Sequence, residues 1–278
     1  MSGTRCLLFF PGTRPELLAK ALATGVDRVC MDLEDAVSAE SKDDARSVAL
    51  GVLHDPALDE RRFVLRINHP RTPEGRRDIE AIASRGPSTP TLMVPKADGA
   101  DELDDIRRDL ARADVRASLV PVIETARGLA DVESITAADG VSGVVFGGLD
   151  LSIDLGASPE WEALLYGRSR TVHAARLAGV GVVDMPFFDI SDPNGLRLEA
   201  ERVRRLGFSG KAAIHPSQVG VIQAAFTPSG PEIARARRLV EAYDRERKGA
   251  FLLDGVMIDR PAVEAARSLL ARTRTGGA

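Results

Sequence analysis

Three carboxylates crowd into the segment MDLED, where Asp32, Glu34 and Asp35 follow directly on the apolar residues Val29, Cys30 and Met31. On a surface strand alternating acids simply face water, but this segment does not alternate, so its acids need another role. Two more acids close apolar runs: Glu124 in PVIET and Asp150 in GLD. Mg2+ takes oxygen ligands in octahedral geometry and commonly uses only one or two protein carboxylates, leaving the rest of its shell to water and substrate. Glu124 and Asp150 meet that specification. No HxH, HExxH or CxxC spacing occurs, which disfavours zinc. The competing reading is that both acids cap the helices that follow them. Arg66, closing FVLRIN, adds a permanent charge suited to a carboxylate or a developing enolate. It also suits a structural ion pair with Glu34 or Asp35, and the two roles are compatible. The acids of MDLED would then orient Arg66 or hold metal-bound waters.

Residues so far apart in sequence meet only if the fold delivers them to one place. Eight short β-rich runs recur: RCLLFF, DRVCMD, RFVLRI, TLMVPK, SLVPVI, GVVFGG, GVVDMP and KAAIH. Between them lie segments such as RPELLAKALATG and AESKDDARSVALGVL, whose apolar residues return every three or four positions. Strands separated by helices pair in parallel, and eight such units close into a (β/α)8 TIM barrel. A doubly wound open sheet is the alternative, but FPGTRPE is not the Gly-rich phosphate turn that such a sheet usually carries. In a barrel the functional groups sit at the carboxyl ends of the strands. There the runs end in Pro11, Gly12 and Arg14; Asp32, Glu34 and Asp35; Arg66 and Asn68; Lys96; Glu124; Asp150; Asp184 and Asp189; and His215. Polar residues of both signs are thus expected at one mouth, with His215 read as a turn residue.

The breaker TPSGPE at 227–232 sets the expected boundary between a barrel over 1–226 and a C-terminal helical arm over 227–278. In that arm Ile233, Ala236, Leu239, Val240 and Tyr243 fit one helical face with the arginines opposite. Trp161 and Tyr166 read as helix packing residues. A net charge of -4 argues against a nucleic-acid surface and points to small-molecule partners. The two cysteines, Cys6 and Cys30, fall in apolar runs, as reduced core thiols do. The first apolar run stops at Pro11, too short for a signal or a membrane span, so a soluble cytoplasmic protein is expected.

The strings LLFFPGTRPELLAKAL, MDLEDAV, LRIN, LMVPKAD, PVIETARGL, GLDLSIDLG and GKAAIHPSQ appear in this order. As an ordered set they resemble the citrate lyase β-subunit-like family of the HpcH/HpaI aldolase superfamily, which includes lyases for malyl-CoA and citramalyl-CoA. The resemblance covers residues 5 to about 265. It implies a Mg2+-dependent barrel enzyme that cleaves or forms a carbon–carbon bond in a 3-hydroxyacyl thioester. By that resemblance Glu124 and Asp150 match the metal ligands, Glu124 and Arg66 lie against substrate, and Phe9, Arg14 and Lys20 match positions that contact CoA. Asp259 in GVMIDRP matches an acid that reaches from the arm into a neighbouring subunit's site and exchanges a proton with substrate, which implies a homotrimer or homohexamer. One departure stands out. Many relatives carry an acid at the position of Leu149, and its loss bears on substrate preference.

The expected activity is therefore conversion of an acyl-CoA such as malyl-CoA or citramalyl-CoA to acetyl-CoA and a 2-oxo acid. Two other enzymes remain open: a CoA-independent aldolase working through a pyruvate enolate, and a citrate lyase β subunit acting on a carrier-bound citryl thioester. A binding or assembly subunit without turnover is a further alternative, against which the retained charged site positions argue.

Overall fold

The computed structural model describes residues 1, 3–246 and 249–275, with side chains as far as 271. Residues Met1–Gln223 and Ala224–Ala278 form two compact units. The first holds eight parallel strands that close into a barrel in sequential order, β1 (Cys6–Pro11), β2 (Arg28–Asp32), β3 (Phe63–Arg66), β4 (Thr91–Val94), β5 (Ser118–Ile123), β6 (Gly143–Phe146), β7 (Gly181–Asp184) and β8 (Gly210–Ala213). Closure is the pairing of β8 with β1, Lys211 opposite Cys6 and Ala213 opposite Leu8. The expected (β/α)8 barrel is thus the fold found, and each strand falls on one of the apolar runs.

Helices connect the strands, α1 (Glu16–Ala23), α2 (Lys42–Leu53), α3 (Pro73–Ser84), α4 (Ala100–Ala111), α5 (Ala126–Ala130), α6 (Val132–Ala137), α7 (Gly148–Asp154), α8 (Trp161–Ala178) and α9 (Pro193–Leu206), and α10 (Pro216–Phe226) follows β8. Local chemistry sets several of their ends. Thr72 and Asp192 accept hydrogen bonds from Gly75 and Gly195 at the starts of α3 and α9, each followed by a proline in the first turn. Gly179 and Gly207 close α8 and α9 in the left-handed conformation. Among the described residues no helix is long and apolar enough to cross a membrane.

The barrel interior is filled by Leu7, Cys30, Val64, Met93, Val120, Val122, Val145, Val183 and Ala212, with Met1 in the same cluster and Phe9 packed against it. Successive side chains of a strand point to opposite faces, so a step of two preserves the face. Phe9, Asp32, Arg66 and Glu124 stand two residues beyond Leu7, Cys30, Val64 and Val122 respectively. The same alternation that fills the core therefore delivers a ring, two acids and a guanidinium to the carboxyl mouth.

Parity also corrects one expectation. Asp184 stands one residue beyond Val183 and faces outward, not into the mouth. It is fully buried and accepts hydrogen bonds from Arg168 Nε at 2.9 Å and Lys211 Nζ at 2.7 Å. Lys211 also donates to Glu199 and to the Met185 carbonyl, each at 2.7 Å. Arg168 lies over the rings of Trp161 and Phe146 at 4.7 and 5.4 Å. Buried charges persist where they are paired and hydrogen-bonded, and this cluster ties β7 and β8 to α8 and α9. Trp161 packs as expected, but Tyr166 is 66% exposed and does not. Cys6 and Cys30 are buried free thiols, both pushed up in pKa by burial.

The second unit holds α11 (Gly230–Glu246), β9 (Ala250–Leu253), β10 (Val256–Asp259) and α12 (Arg260–Thr275). The strands form an antiparallel hairpin through Asp254 and Gly255, both at positive φ, as a two-residue turn of this kind requires. Ala236, Leu239, Ile258, Val263 and Ala266 make its core, with Val240, Tyr243 and Phe251 against them. Of the apolar face read from the α11 sequence, Ala236, Leu239, Val240 and Tyr243 pack into this cluster, whereas Ile233 is not part of it. Asp259 is exposed, and its Oδ1 accepts from the Ala262 amide at 3.2 Å in the first turn of α12.

Candidate active site

The register of neighbouring strands sets the site. Asp32 lies opposite Arg66 across β2 and β3. Arg66 donates through Nε to Asp32 Oδ1 at 2.7 Å and through Nη2 to Oδ2 at 2.6 Å, a bidentate fork. Its Nη1 lies 2.7 Å from Glu34 Oε2 and 3.7 Å from Asp35 Oδ2, and its guanidinium carbon sits 5.4 Å from the centroid of Phe9. Burial disfavours the charge of Arg66, but the hydrogen bond to Asp32 and the charges of Asp32 and Glu34 more than offset this and raise its pKa.

The loop after β2 is shaped to hold that arrangement. Asp32 accepts from the amides of Glu34 and Ala36 at 2.8 and 3.1 Å. Lys42 Nζ donates to the carbonyls of Leu33 and Glu34 at 2.7 and 2.6 Å. Asp32 and Glu34 are buried, whereas the Asp35 side chain is 60% exposed. Asn68, next along from the Arg66 strand end, turns into a separate buried network. Its amide and Nδ2 both donate to Asp78, which also accepts from Arg46.

Glu124 directly follows β5 and Asp150 lies in the first turn of α7, just after the neighbouring β6; Ile123 pairs with Phe146 and the Gly147 amide donates to the Ile123 carbonyl at 3.0 Å. Neither acid caps the helix after it. Thr125 caps α5, and α7 begins at Gly147 without a side-chain cap. Glu124 is 3% exposed and accepts from the Lys96 amide at 2.8 Å. Its pKa is pushed up to about 8, first by burial and then by the charges of Glu34 and Asp150. Asp150 is half-buried in the first turn of α7, beside the partly exposed Leu149.

Lys96 links the two halves of the site. It adopts a left-handed backbone, φ 48°, that side chains other than glycine rarely take. Its amide serves Glu124 while its Nζ donates to Glu34 Oε1 at 2.7 Å. Burial alone would lower its pKa, but the hydrogen bond and charge of Glu34, with Glu124 and Asp35, raise it. The sequence places Lys96 at a strand end but carries no sign of this double role, which depends on the turn its backbone makes.

Glu124 and Asp150 offer a hard divalent cation the oxygen donors it prefers. Glu124 is a buried carboxylate with a second acid's charge acting on it, and positive charge there relieves both burdens. Space is kept beside it as well. A Cβ on Gly147 would lie 2.5 Å from Glu124 Oε2 and 2.9 Å from Val122. Phe9 lies inside the mouth under Arg66, while Arg14 and Lys20 are exposed, Arg14 paired with Glu16 at 2.9 Å.

The family model described as HpcH/HpaI aldolase/citrate lyase matches residues 5–216, which include all of these barrel positions. The chain belongs to the HpcH/HpaI aldolase/citrate lyase family. Within this aldolase and lyase family it is 38% identical over 272 residues to a citrate lyase subunit beta-like protein of Mycobacterium tuberculosis, covering 95% of this chain and 94% of that one. It is 33% identical over 279 residues to a (3S)-malyl-CoA thioesterase of Cereibacter sphaeroides, covering 96% and 94%. A crystal structure of protein CitE from M. tuberculosis, in complex with magnesium, acetoacetate and coenzyme A, superposes with a TM-score of 0.84 at 35% identity, covering 98% of this chain and 99% of that one.

Proposed function

We propose that this protein is a Mg2+-dependent carbon–carbon lyase that cleaves or forms a short 3-hydroxyacyl-CoA thioester, such as malyl-CoA or citramalyl-CoA, with acetyl-CoA and a 2-oxo acid as the products of cleavage. What supports this reading is a buried Glu124 on which the charges of Glu34 and Asp150 act, together with a buried Arg66 anchored by Asp32 and lying beside the same Glu34. The CitE complex with magnesium, acetoacetate and coenzyme A, at 35% identity over nearly the whole chain, supports the same ligand classes here.

Glu124 and Asp150 would hold Mg2+, which supplies Lewis acidity and a template for the oxygens of the short acid. Arg66 then faces the charge that develops as the substrate hydroxyl gives its proton to water and becomes the carbonyl of the 2-oxo acid, while the carbon–carbon bond breaks and its electron pair leaves as the enolate of the acetyl thioester. Because Asp32 fixes its orientation in advance, little reorganisation is needed during the reaction. Phe9, Arg14 and Lys20 would contact the CoA moiety. Asp259, delivered from the second unit of a neighbouring subunit in a homotrimer or homohexamer, would exchange a proton with the acetyl methyl carbon. The buried reduced cysteines suit a cytoplasmic setting.

The test is a panel of malyl-, citramalyl- and citryl-thioesters and the corresponding free hydroxy acids, each assayed with and without Mg2+. Turnover of a CoA ester that requires Mg2+ and yields acetyl-CoA supports the reading. Turnover of free acids alone points to a CoA-independent aldolase. Activity only on a carrier-bound citryl thioester points to a citrate lyase β subunit. Release of CoA with the carbon skeleton intact would make the chain a thioesterase, the activity named for the C. sphaeroides relative.

A further inference from the structure

Three acids, Glu34, Glu124 and Asp150, share the mouth, and the charges of Glu34 and Asp150 both act on Glu124. A cation attracted by all three would fill its shell with protein oxygens and leave less room for a chelating substrate. Glu34 is differently placed from the other two. Its Oε1 accepts from Lys96 Nζ at 2.7 Å, and its Oε2 lies 2.7 Å from Arg66 Nη1. Both carboxylate oxygens therefore face cations of the chain itself. The left-handed backbone of Lys96 makes this possible, because it turns the amide toward Glu124 while the side chain reaches across to Glu34. Strained backbone of this kind persists where the surroundings hold it, and it gathers at functional sites.

We propose that Lys96 is a positioning residue that holds Glu34 out of the cation's coordination shell, so that Glu124 and Asp150 alone bind the metal and positions stay open for water and substrate. The inference rests on the cation-binding reading of Glu124 and Asp150. It also makes Lys96 a support of Arg66, because Glu34 released from Lys96 no longer holds a fixed place beside the guanidinium.

The role has a signature that general damage lacks, since metal binding and substrate binding move in opposite directions. In Lys96→Met, which keeps an unbranched chain one atom shorter and removes the ammonium, Glu34 is free to join the metal. Mn2+ affinity, followed by the paramagnetic resonance of the free ion without substrate, is expected to tighten about tenfold, since affinity follows the charge count of the ligands. The KM for the CoA ester is expected to rise. The double variant Lys96→Met with Glu34→Gln is expected to return Mn2+ affinity to near the wild-type value. Unchanged or weaker Mn2+ binding in Lys96→Met overturns the proposal. Glu34→Gln alone, which does not depend on the folding of the lysine variant, is expected to weaken Mn2+ binding by no more than the roughly 10–100-fold that disturbing a group outside the metal's own ligands costs. A loss well beyond about 100-fold shows that Glu34 is already a ligand and also overturns it. Failure of the wild-type protein to bind Mn2+ or Mg2+ at all removes the cation reading itself, and this inference with it.

Discussion

Asp32 and Arg66 face each other across the second and third strands and are joined by two parallel hydrogen bonds of 2.7 and 2.6 Å, with Asp32 almost wholly buried. A guanidinium in a two-pronged grip cannot rotate, and lysine cannot reproduce the grip. Arg66→Lys is expected to lower kcat/KM for the CoA ester by about 100-fold or more, the usual loss when a preorganised donor is removed. Asp32→Asn, which leaves Arg66 without its main counter-charge, is expected to lower stability by about 3–5 kcal/mol, as breaking one side of a buried pair does. Urea unfolding measures the second value and steady-state kinetics the first. Near wild-type results in both would remove Arg66 from the chemistry.

Glu124 predicts a pH dependence. Its folded pKa of about 8 lies above the ordinary 4.5, so the folded metal-free protein favours the protonated acid. The stability this group contributes is complete below its unfolded pKa and is lost as the pH rises through the folded value. Glu124→Gln is uncharged at every pH and escapes that loss. Metal-free Glu124→Gln is therefore expected to melt above metal-free wild type at pH 8.5, with the difference vanishing toward pH 4.5. Added Mg2+ should raise the melting temperature of wild type but not of the variant. An equal or lower melting temperature for the variant at pH 8.5 contradicts the assignment.

Gly147 keeps open the space next to Glu124 Oε2, and an added methyl group would intrude to 2.5 Å. Gly147→Ala is expected to weaken Mg2+ binding by about 10–100-fold, the range seen when groups supporting a ligand are disturbed. Calorimetric titration with Mg2+ measures this directly. Full metal affinity in the variant would place the cation elsewhere.

Asp259 caps α12 through the Ala262 amide, so a fold role and a proton-transfer role must be separated. Asparagine is as good a cap as aspartate. Asp259→Asn is expected to keep the wild-type melting temperature and Mg2+ affinity while losing about 100- to 10,000-fold in kcat, the range for a positioned acid or base. Near wild-type kcat on every competent CoA ester would leave Asp259 a helix cap and nothing more.

Lys211, fully buried with Asp184 and also paired with the partly exposed Glu199, is outside the proposed chemistry. Lys211→Met is expected to destabilise the protein by about 3–5 kcal/mol in urea unfolding, because two carboxylates lose their shared partner. Mg2+ affinity of the folded variant should stay at the wild-type value.

The barrel was legible in the sequence because each strand is a short, nearly continuous apolar run and each helix a periodic segment, so fold and strand count follow from pattern alone. The mouth was legible only in part. Reading the polar residues at each strand end finds Asp32, Arg66, Glu124 and Asp150, but it assigns Asp184 to the same rim, because a list of strand ends ignores which way each residue points. Counting from Val183 shows the difference. Lys96 was visible as a strand-end cation, yet its grip on both Glu124 and Glu34 depends on a backbone turn that no residue type announces. Tyr166 was misread because a tyrosine on a helix does not say which side of that helix it takes.

Even-numbered steps from the innermost layer decide what reaches the opening. Losing or gaining a single codon within β2, β3 or β5 would swing Asp32, Arg66 or Glu124 to the helical side and leave a hydrocarbon in its place. Genetic drift toward new substrates is therefore channelled into point replacements and into the lengths of the linking loops, while the strands themselves must be inherited without insertion or deletion.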